Sequence, residues 1–235
     1  MDTTDIAALA LFLACWLGYE PLLRRVSHPA GALNTNMVVI RRAWMANMSA
    51  RDNKFFDSQL MGHTLTSASF FASSNLLLIA ALTGALVGGD RTWRSLHALP
   101  LVGPSAPYMF ELKLALVIAA MARSLLDFIW SIRQMNYCLA AMGAAPISAS
   151  PEVTRTYGEA AAEILNPALS SFNAGVRGYY FALAAGAWVL GPLPFALVTL
   201  GAVALLVWRQ SSSRSAKGIR TLRKVLEDEG ANGAA

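Results

Sequence analysis

The chain contains uncharged apolar stretches long enough to cross a lipid bilayer, separated by segments rich in arginine and lysine. A helix needs roughly 20 apolar residues to span the hydrocarbon core. Only 14% of the residues are charged, whereas a soluble domain typically contains about 25%. Because the backbone of a spanning segment must satisfy its own hydrogen bonds in lipid, the sequence predicts an all-α fold, an integral membrane bundle with short cytoplasmic amphipathic helices.

The apolar segments predict five transmembrane helices within one membrane domain, residues 1–208. The uncharged stretch from Gly178 to Trp208 contains Gly191-Pro192, and Gly followed by Pro commonly ends one helix and starts the next. A proline inside a helix costs about 3 kcal/mol, so we expect two spans joined by a turn. The predicted spans cover residues 6–23, 60–87, 108–132, 172–190 and 193–208.

The distribution of basic residues predicts the orientation of these spans. Cytoplasmic loops of membrane proteins carry an excess of Lys and Arg. Such residues are concentrated between Arg24 and Lys54 and again in residues 209–235, the basic tail. Both segments are therefore expected on the cytoplasmic side, which requires an odd number of crossings. Five spans in the cytoplasmic (inner) membrane, with the N-terminus outside, satisfy this requirement.

The sequence of residues 150–166 predicts that this segment forms a cytoplasmic helix before the fourth span. Ser150 is a suitable N-cap and Pro151 a suitable first helical residue. Asn166-Pro167 is expected to end this helix, because proline lacks the N–H that the helical ladder needs.

Two segments, residues 34–75 and 173–192, carry a family resemblance. Its features, in chain order, are Arg41-Arg42-Ala43-Trp44, Gln59, Gly62, Thr64, Arg177 with Tyr180, and Trp188 leading to Gly191-Pro192. In this order and combined with five spans, they resemble the domain-of-unknown-function 599 family of bacterial and plant multi-pass membrane proteins. The resemblance implies the architecture, and it implies no established activity.

Arg123 and Asp127 are the first candidate functional residues. They are four apart on the third predicted span, so their side chains share a helix face. Counted from Tyr108 at 1.5 Å per residue, Arg123 lies ~22 Å from the outer end, where an unpaired charge costs about 2.5–3.5 kcal/mol. Two interpretations stay open. Either Arg123 binds or gates an anion with Asp127 setting its position, or the pair is a structural link between helices.

A polar stripe on the second predicted span is the next candidate. Its members are Gln59, His63, Thr66, Ser67, Ser73 and Ser74. The stripe either lines a solute pathway, with His63 as its proton-sensitive element because histidine titrates near neutrality, or supplies hydrogen bonds between helices, worth about 0.6 kcal/mol each.

Arg41, Arg42 and Trp44 lie on a predicted amphipathic helix in the cytoplasm, and Arg177 heads the fourth span. Basic and aromatic residues at such positions are typical of a membrane surface. We interpret these four residues as candidate contacts to lipid headgroups or phosphate groups.

Other charged residues near the span ends have ordinary explanations. The family resemblance favours the hypothesis that Arg177 pairs with an acid such as Asp57 or Asp127. Glu111 and Lys113 are two apart and therefore face different directions on a helix, so we expect both to extend towards the headgroups.

A small-solute or ion pathway, for anions in particular, is the leading functional interpretation, built around Arg123, Asp127 and His63. The alternative is a structural or regulatory membrane subunit that binds lipid or a partner protein through its cytoplasmic face. An enzyme is least favoured, because no nucleotide, metalloprotease or hydrolase motif is present. No metal site is predicted, and the cofactor is unknown.

The expected partners follow from the membrane location. They are the bilayer itself, anionic lipid headgroups at the basic tail and further copies of the chain, since five helices enclose little water. Nucleic acid is not expected, because the basic residues flank apolar spans.

Overall fold

A computed structural model describes residues 1–26, 31–97, 106–147 and 149–232, and these contain helices and turns but no strand. The predicted all-α fold is confirmed for them. In chain order the elements are α1 (Thr3–Val26), α2 (Leu33–Ala50), α3 (Phe55–Val87), α4 (Gly89–His97), α5 (Pro107–Gly143), α6 (Pro151–Gly186), a 3₁₀ turn (Ala187–Leu190), α7 (Pro192–Ser211) and α8 (Arg214–Asn232).

Three regions of the described chain are long and apolar enough to cross a membrane, by length and composition. They are Thr3–Leu23, Phe55–Val87 and Pro192–Glu229. This finding indicates a membrane protein, with fewer clear spans than the five expected. The two remaining predicted spans, in α5 and α6, have charges inside their apolar stretches: Arg123 and Asp127 in α5 and Arg177 in α6.

The helices pack into two compact units. Unit 1 contains Met1–Arg25, Ala72–Leu126 and Ala174–Leu206, and unit 2 contains Val26–Phe71, Asp127–Asn173 and Val207–Ala235. Because α3, α5, α6 and α7 each contribute residues to both units, we describe each unit by itself.

Unit 1 is held together by aromatic packing and by close contact of α5 with α6. The Phe12 ring lies 5.2 Å from that of Phe195 and 6.0 Å from that of Phe181. The Ser124 hydroxyl donates to the Gly175 carbonyl at 2.6 Å. A Cβ at Gly178 would lie 2.5 Å from that of Ser124, so glycine allows the two helices to approach.

Unit 2 has a core rich in methionine. The fully buried members of this core include Met45, Met48, Met61 and Met135. Unbranched thioether side chains fill irregular gaps well, which suits the space between α2, α3, α5 and α6.

The helices of unit 2 are also joined by hydrogen bonds. Tyr157 donates to the Ala141 carbonyl at 2.7 Å, and Ser49 donates to the Thr154 carbonyl at 2.8 Å. The basic tail contains α8, which packs on α2, with Arg223 Nη1 donating to Asn36 Oδ1 at 2.9 Å. These bonds satisfy polar groups that would otherwise be costly to bury.

The predicted break at Asn166-Pro167 is wrong, because α6 continues through Pro167. The neighbours Leu165 and Ala168 are fully buried in the unit 2 core, and the Ala168 carbonyl accepts a hydrogen bond from Ser131 at 2.7 Å. Tertiary packing therefore overrides the local cost of proline.

Two other local predictions are confirmed. The Val153 N–H donates to the Ser150 hydroxyl at 3.4 Å, as expected of an N-cap. The turn at Gly191-Pro192 separates the 3₁₀ turn from α7. Gly191 has a φ of +129°, a backbone conformation that residues other than glycine rarely adopt.

Candidate functional site

Unit 1 contains a cavity of about 580 Å³ beside the first turns of α1 and α5 and the turn that leads into α7. Its wall includes Asp2, Asp5, Tyr108, Lys113 and residues 191–194. The cavity thus combines one lysine and two carboxylates with an apolar turn, and it is large enough for a small solute.

Lys113 is the unusual residue of this cavity. Only 4% of it is exposed, and within the described part of the chain no group accepts a hydrogen bond from its ammonium or pairs with it at contact distance. Asp5 acts on it electrostatically at longer range. A buried ammonium normally has acceptors for its three donors, so the cavity next to Lys113 is where an acceptor would have to come from.

Asp5 is held in place by the indole of Trp188. The Trp188 Nε1 donates to the Asp5 carboxylate at 2.8 Å. The Trp188 ring is fully buried and stacks on Phe195 with their centroids 5.0 Å apart. The carboxylate is therefore positioned by a rigid aromatic pair on one wall of the cavity.

The expectation that Lys113 extends towards the headgroups is wrong. On α5 it shares the inward face with Phe110, Leu114 and Val117, all of which are buried. Glu111, two residues earlier, is exposed as expected. The packing of α5 in unit 1, which the sequence does not reveal, decides which of the two charges points inward.

Arg177 is also in unit 1, but it does not pair as expected. Its Nη2 lies 2.5 Å from the Glu20 carboxylate, and its guanidinium lies 5.2 Å from the centre of the Tyr19 ring. Asp57, one of the two acids expected to pair with it, accepts a hydrogen bond from Arg51 at 2.5 Å instead.

The polar stripe of α3 is largely exposed. Gln59, His63 and Ser67 are exposed and Ser74 is half-buried. The hydroxyl of Ser67 donates to the His63 carbonyl one turn earlier, at 3.0 Å, so its hydrogen-bonding need is met within the helix. The buried seam of α3 consists of Asp57, Met61, Ala68 and Asn75.

Arg123 is exposed and Asp127 half-buried on α5, and they fall in unit 1 and unit 2 respectively. Their role as an anion site or a structural link stays a prediction.

The three candidate residues on α2 differ in their surroundings. Arg42 is exposed, and Trp44 donates to the Asp57 carboxylate at 2.8 Å. Arg41 is only 7% exposed, and its Nε has no hydrogen-bond partner. Burial lowers the pKa of Arg41. The sequence predicts the same headgroup or phosphate contact for Arg41 and Arg42. Arg41 differs because it shares its helix face with the buried Met45.

In the residues that the structure describes, no three histidine, cysteine or acidic side chains gather where they could hold a metal ion. The comparisons with known proteins point to one family. The family model described as "Protein of unknown function, DUF599" matches residues 7–215. A search of curated proteins and a search of solved structures each found no match.

Proposed function

The chain belongs to DUF599, a family of proteins of unknown function, and from this premise we propose that it binds a small monoanion in the unit 1 cavity as part of a solute pathway. The protein would cross the cytoplasmic membrane five times, with the cavity near the outer surface. The single observation that carries the proposal is that Lys113, only 4% exposed, lines the cavity and has no hydrogen-bond or ion-pair partner within the described part of the chain.

Burying the charge of Lys113 is costly. An isolated buried charge costs several kcal/mol unless a partner compensates it. Asp5 is already hydrogen-bonded to Trp188 and does not reach contact distance. An anion in the cavity would supply the missing acceptors at short range, where charge-assisted hydrogen bonds are strongest.

The carboxylates on the same wall limit what can bind. Asp2 and Asp5 both line the cavity, and a ligand with two negative charges would be repelled by them in a medium of low dielectric constant. Among anions, a solute with one negative charge is therefore repelled less than one with two. In the proposed topology Lys113 lies only about 8 Å along the helix from Tyr108 at the outer surface.

The pathway itself involves the exposed polar residues of α3 and α5. His63 and Arg123 are exposed, and polar side chains are rarely left facing lipid. In the proposal a second copy of the chain covers them, so that the pathway forms in a homo-oligomer. Native mass spectrometry from mild detergent tests this part, and a strictly monomeric protein would count against it.

Anion binding in the cavity is tested by replacing Lys113 with methionine, which has a similar length and no charge. Thermal unfolding of the wild type is expected to shift upwards with chloride, formate or acetate as the probe, because a ligand at 100 times its Kd stabilises by about 2.7 kcal/mol. Lys113→Met should lose this shift. In anion-free buffer it should be at least as stable as the wild type, because an uncompensated buried charge has been removed.

The matched control is Lys217→Met, on the exposed face of α8, which should keep the anion-dependent shift. The proposal fails if none of the three anions stabilises the wild type, or if Lys113→Met responds to them as the wild type does. In proteoliposomes the same variant should abolish uptake of the anion that binds.

A second candidate function is supported by the surface of α8. While one face packs on α2, the other exposes Lys217 and Lys224 together with Leu222 and Val225. This mixture of cations and apolar side chains suits an anionic lipid surface. A structural or regulatory role predicts that Lys217→Gln with Lys224→Gln releases bound anionic lipid while anion uptake is unchanged.

A further inference from the structure

We propose that Arg41 is the central residue of a phosphate-binding site in unit 2, separate from the unit 1 cavity and independent of its proposed function. The ligand chemistry is a phosphate group, carried either by an anionic lipid or by inorganic phosphate.

Arg41 is a buried residue. It is 7% exposed, and its Nε has no acceptor. Within the described residues no carboxylate pairs with it. Its helix face also carries Met45 and Met48, both fully buried, so the Arg41 side chain starts from an apolar face of α2.

Arginine cannot avoid the cost of burying its charge by losing its proton. A guanidinium stays charged in proteins, whereas a buried lysine can become neutral. The charge at Arg41 therefore requires compensation from outside the described chain, and a planar fork of donors matches two oxygens of a phosphate.

The acids that accept ion-pair hydrogen bonds in the described part of unit 2 bind other cations. Asp57 Oδ1 accepts hydrogen bonds from Arg51 and Trp44, and Glu227 accepts one from Arg223 at 2.7 Å. The second oxygen of Asp57 is buried without a partner, and neither it nor Glu227 forms a hydrogen bond with Arg41 Nε.

The segments around Arg41 are basic. Arg42 follows Arg41 directly and is exposed, and α8, which packs on α2, contributes the half-buried Arg220. Basic side chains of this kind raise the local concentration of anions, which favours phosphate as the missing partner.

The test uses the full-length protein, purified in detergent and stripped of lipid. Two probes are added at matched ionic strength, inorganic phosphate and dioctanoyl phosphatidylglycerol, and binding is followed by thermal unfolding. We expect at least one probe to stabilise the wild type. Arg41→Leu should weaken its binding roughly 10- to 100-fold, the range expected for losing hydrogen bonds to a charged group.

Two further variants separate a specific site from general attraction. Arg42→Leu removes the same charge from the exposed neighbour and should change affinity by less than about 3-fold, since exposed charges are screened. Arg41→Lys keeps the charge but loses the fork, and should also bind weakly. Native mass spectrometry should show phospholipid retained by the wild type and lost from Arg41→Leu if the lipid is the source.

The outcomes are distinct. Stabilisation by inorganic phosphate alone identifies a soluble ligand, and stabilisation by the lipid alone identifies a headgroup; both support the site. The inference is overturned if neither probe binds, or if Arg42→Leu weakens binding as much as Arg41→Leu. It is also overturned if Arg41→Leu is less stable than the wild type without any ligand, which would make Arg41 a purely structural residue.

Discussion

Gly158 is the point where α6 comes closest to α2, and replacing it with alanine should destabilise unit 2. A Cβ at this position would lie 2.6 Å from the Ala46 Cα, 2.9 Å from the Ala46 nitrogen and 3.0 Å from the Met45 carbonyl oxygen. All three are backbone atoms, so no side-chain rotation relieves the contact. The helices would have to separate by about 1 Å to restore an ordinary carbon–carbon distance.

Two opposing terms set the magnitude. Overpacking a well-packed site costs about 1–3 kcal/mol, whereas alanine is about 1 kcal/mol better than glycine inside a helix. The separation would also stretch the bond from Ser49 to the Thr154 carbonyl, worth ~1 kcal/mol. We therefore expect a net loss of about 1–3 kcal/mol. At 2–4 °C per kcal/mol for a chain of this size, the Tm should fall by roughly 2–12 °C.

The assay is thermal unfolding in detergent, followed by tryptophan fluorescence. Gly218→Ala is the matched control, because Gly218 lies inside α8 and nothing comes within 4 Å of a Cβ there. It should gain stability from helix propensity alone, about 1 kcal/mol. If Gly158→Ala and Gly218→Ala shift the Tm in the same direction and by the same amount, the close approach of the two helices is wrong.

Three other predictions test single contacts. Trp188→Phe keeps an aromatic ring but removes the donor to Asp5 and part of a fully buried side chain. The lost hydrogen bond alone should cost about 1–3 kcal/mol in thermal stability, and any anion in the cavity should bind more weakly. Burial raises the pKa of the Cys138 thiol to about 11, so a maleimide at pH 8 should label it only after unfolding. Because the thiolate is favoured more in the unfolded chain, stability should decrease as the pH rises from about 9 towards 11, and a flat pH profile there would contradict this. Asp57→Asn removes the ion pair with Arg51, which is 43% exposed; a loss of about 1 kcal/mol is expected after solvent screening, measured against Asp52→Asn as an exposed control.

Features governed by local backbone chemistry could be predicted from the sequence. The Ser150 cap and the Gly191-Pro192 turn follow from the side-chain acceptor and the ring constraints of those residues, whatever surrounds them. Pro167 obeys the same local rules, yet it lies inside α6, because the contacts of Leu165 and Ala168 with distant segments outweigh its local preference. Those contacts cannot be read from the neighbouring sequence.

The candidate site was harder to predict for a related reason. Lys113 and Glu111 each carry one charge, of opposite sign, and are almost adjacent. Only the packing partners of α5 decide which of the two is buried. A signal was nevertheless present, because Lys113 lies three residues after Phe110 and four before Val117, on an otherwise apolar face. Arg41 carries the same signal, four residues before Met45.

The methionine core of unit 2 makes the chain vulnerable before it folds. A methionine sulfoxide is polar and chiral, and no position beside the fully buried Met45, Met48, Met61 or Met135 offers it water. Peroxide that reaches these sulfurs before the helices close would leave a chain that cannot pack, whereas the closed core shields them. Sulfoxide content at these four positions after peroxide treatment therefore reports the fraction of molecules whose core was open.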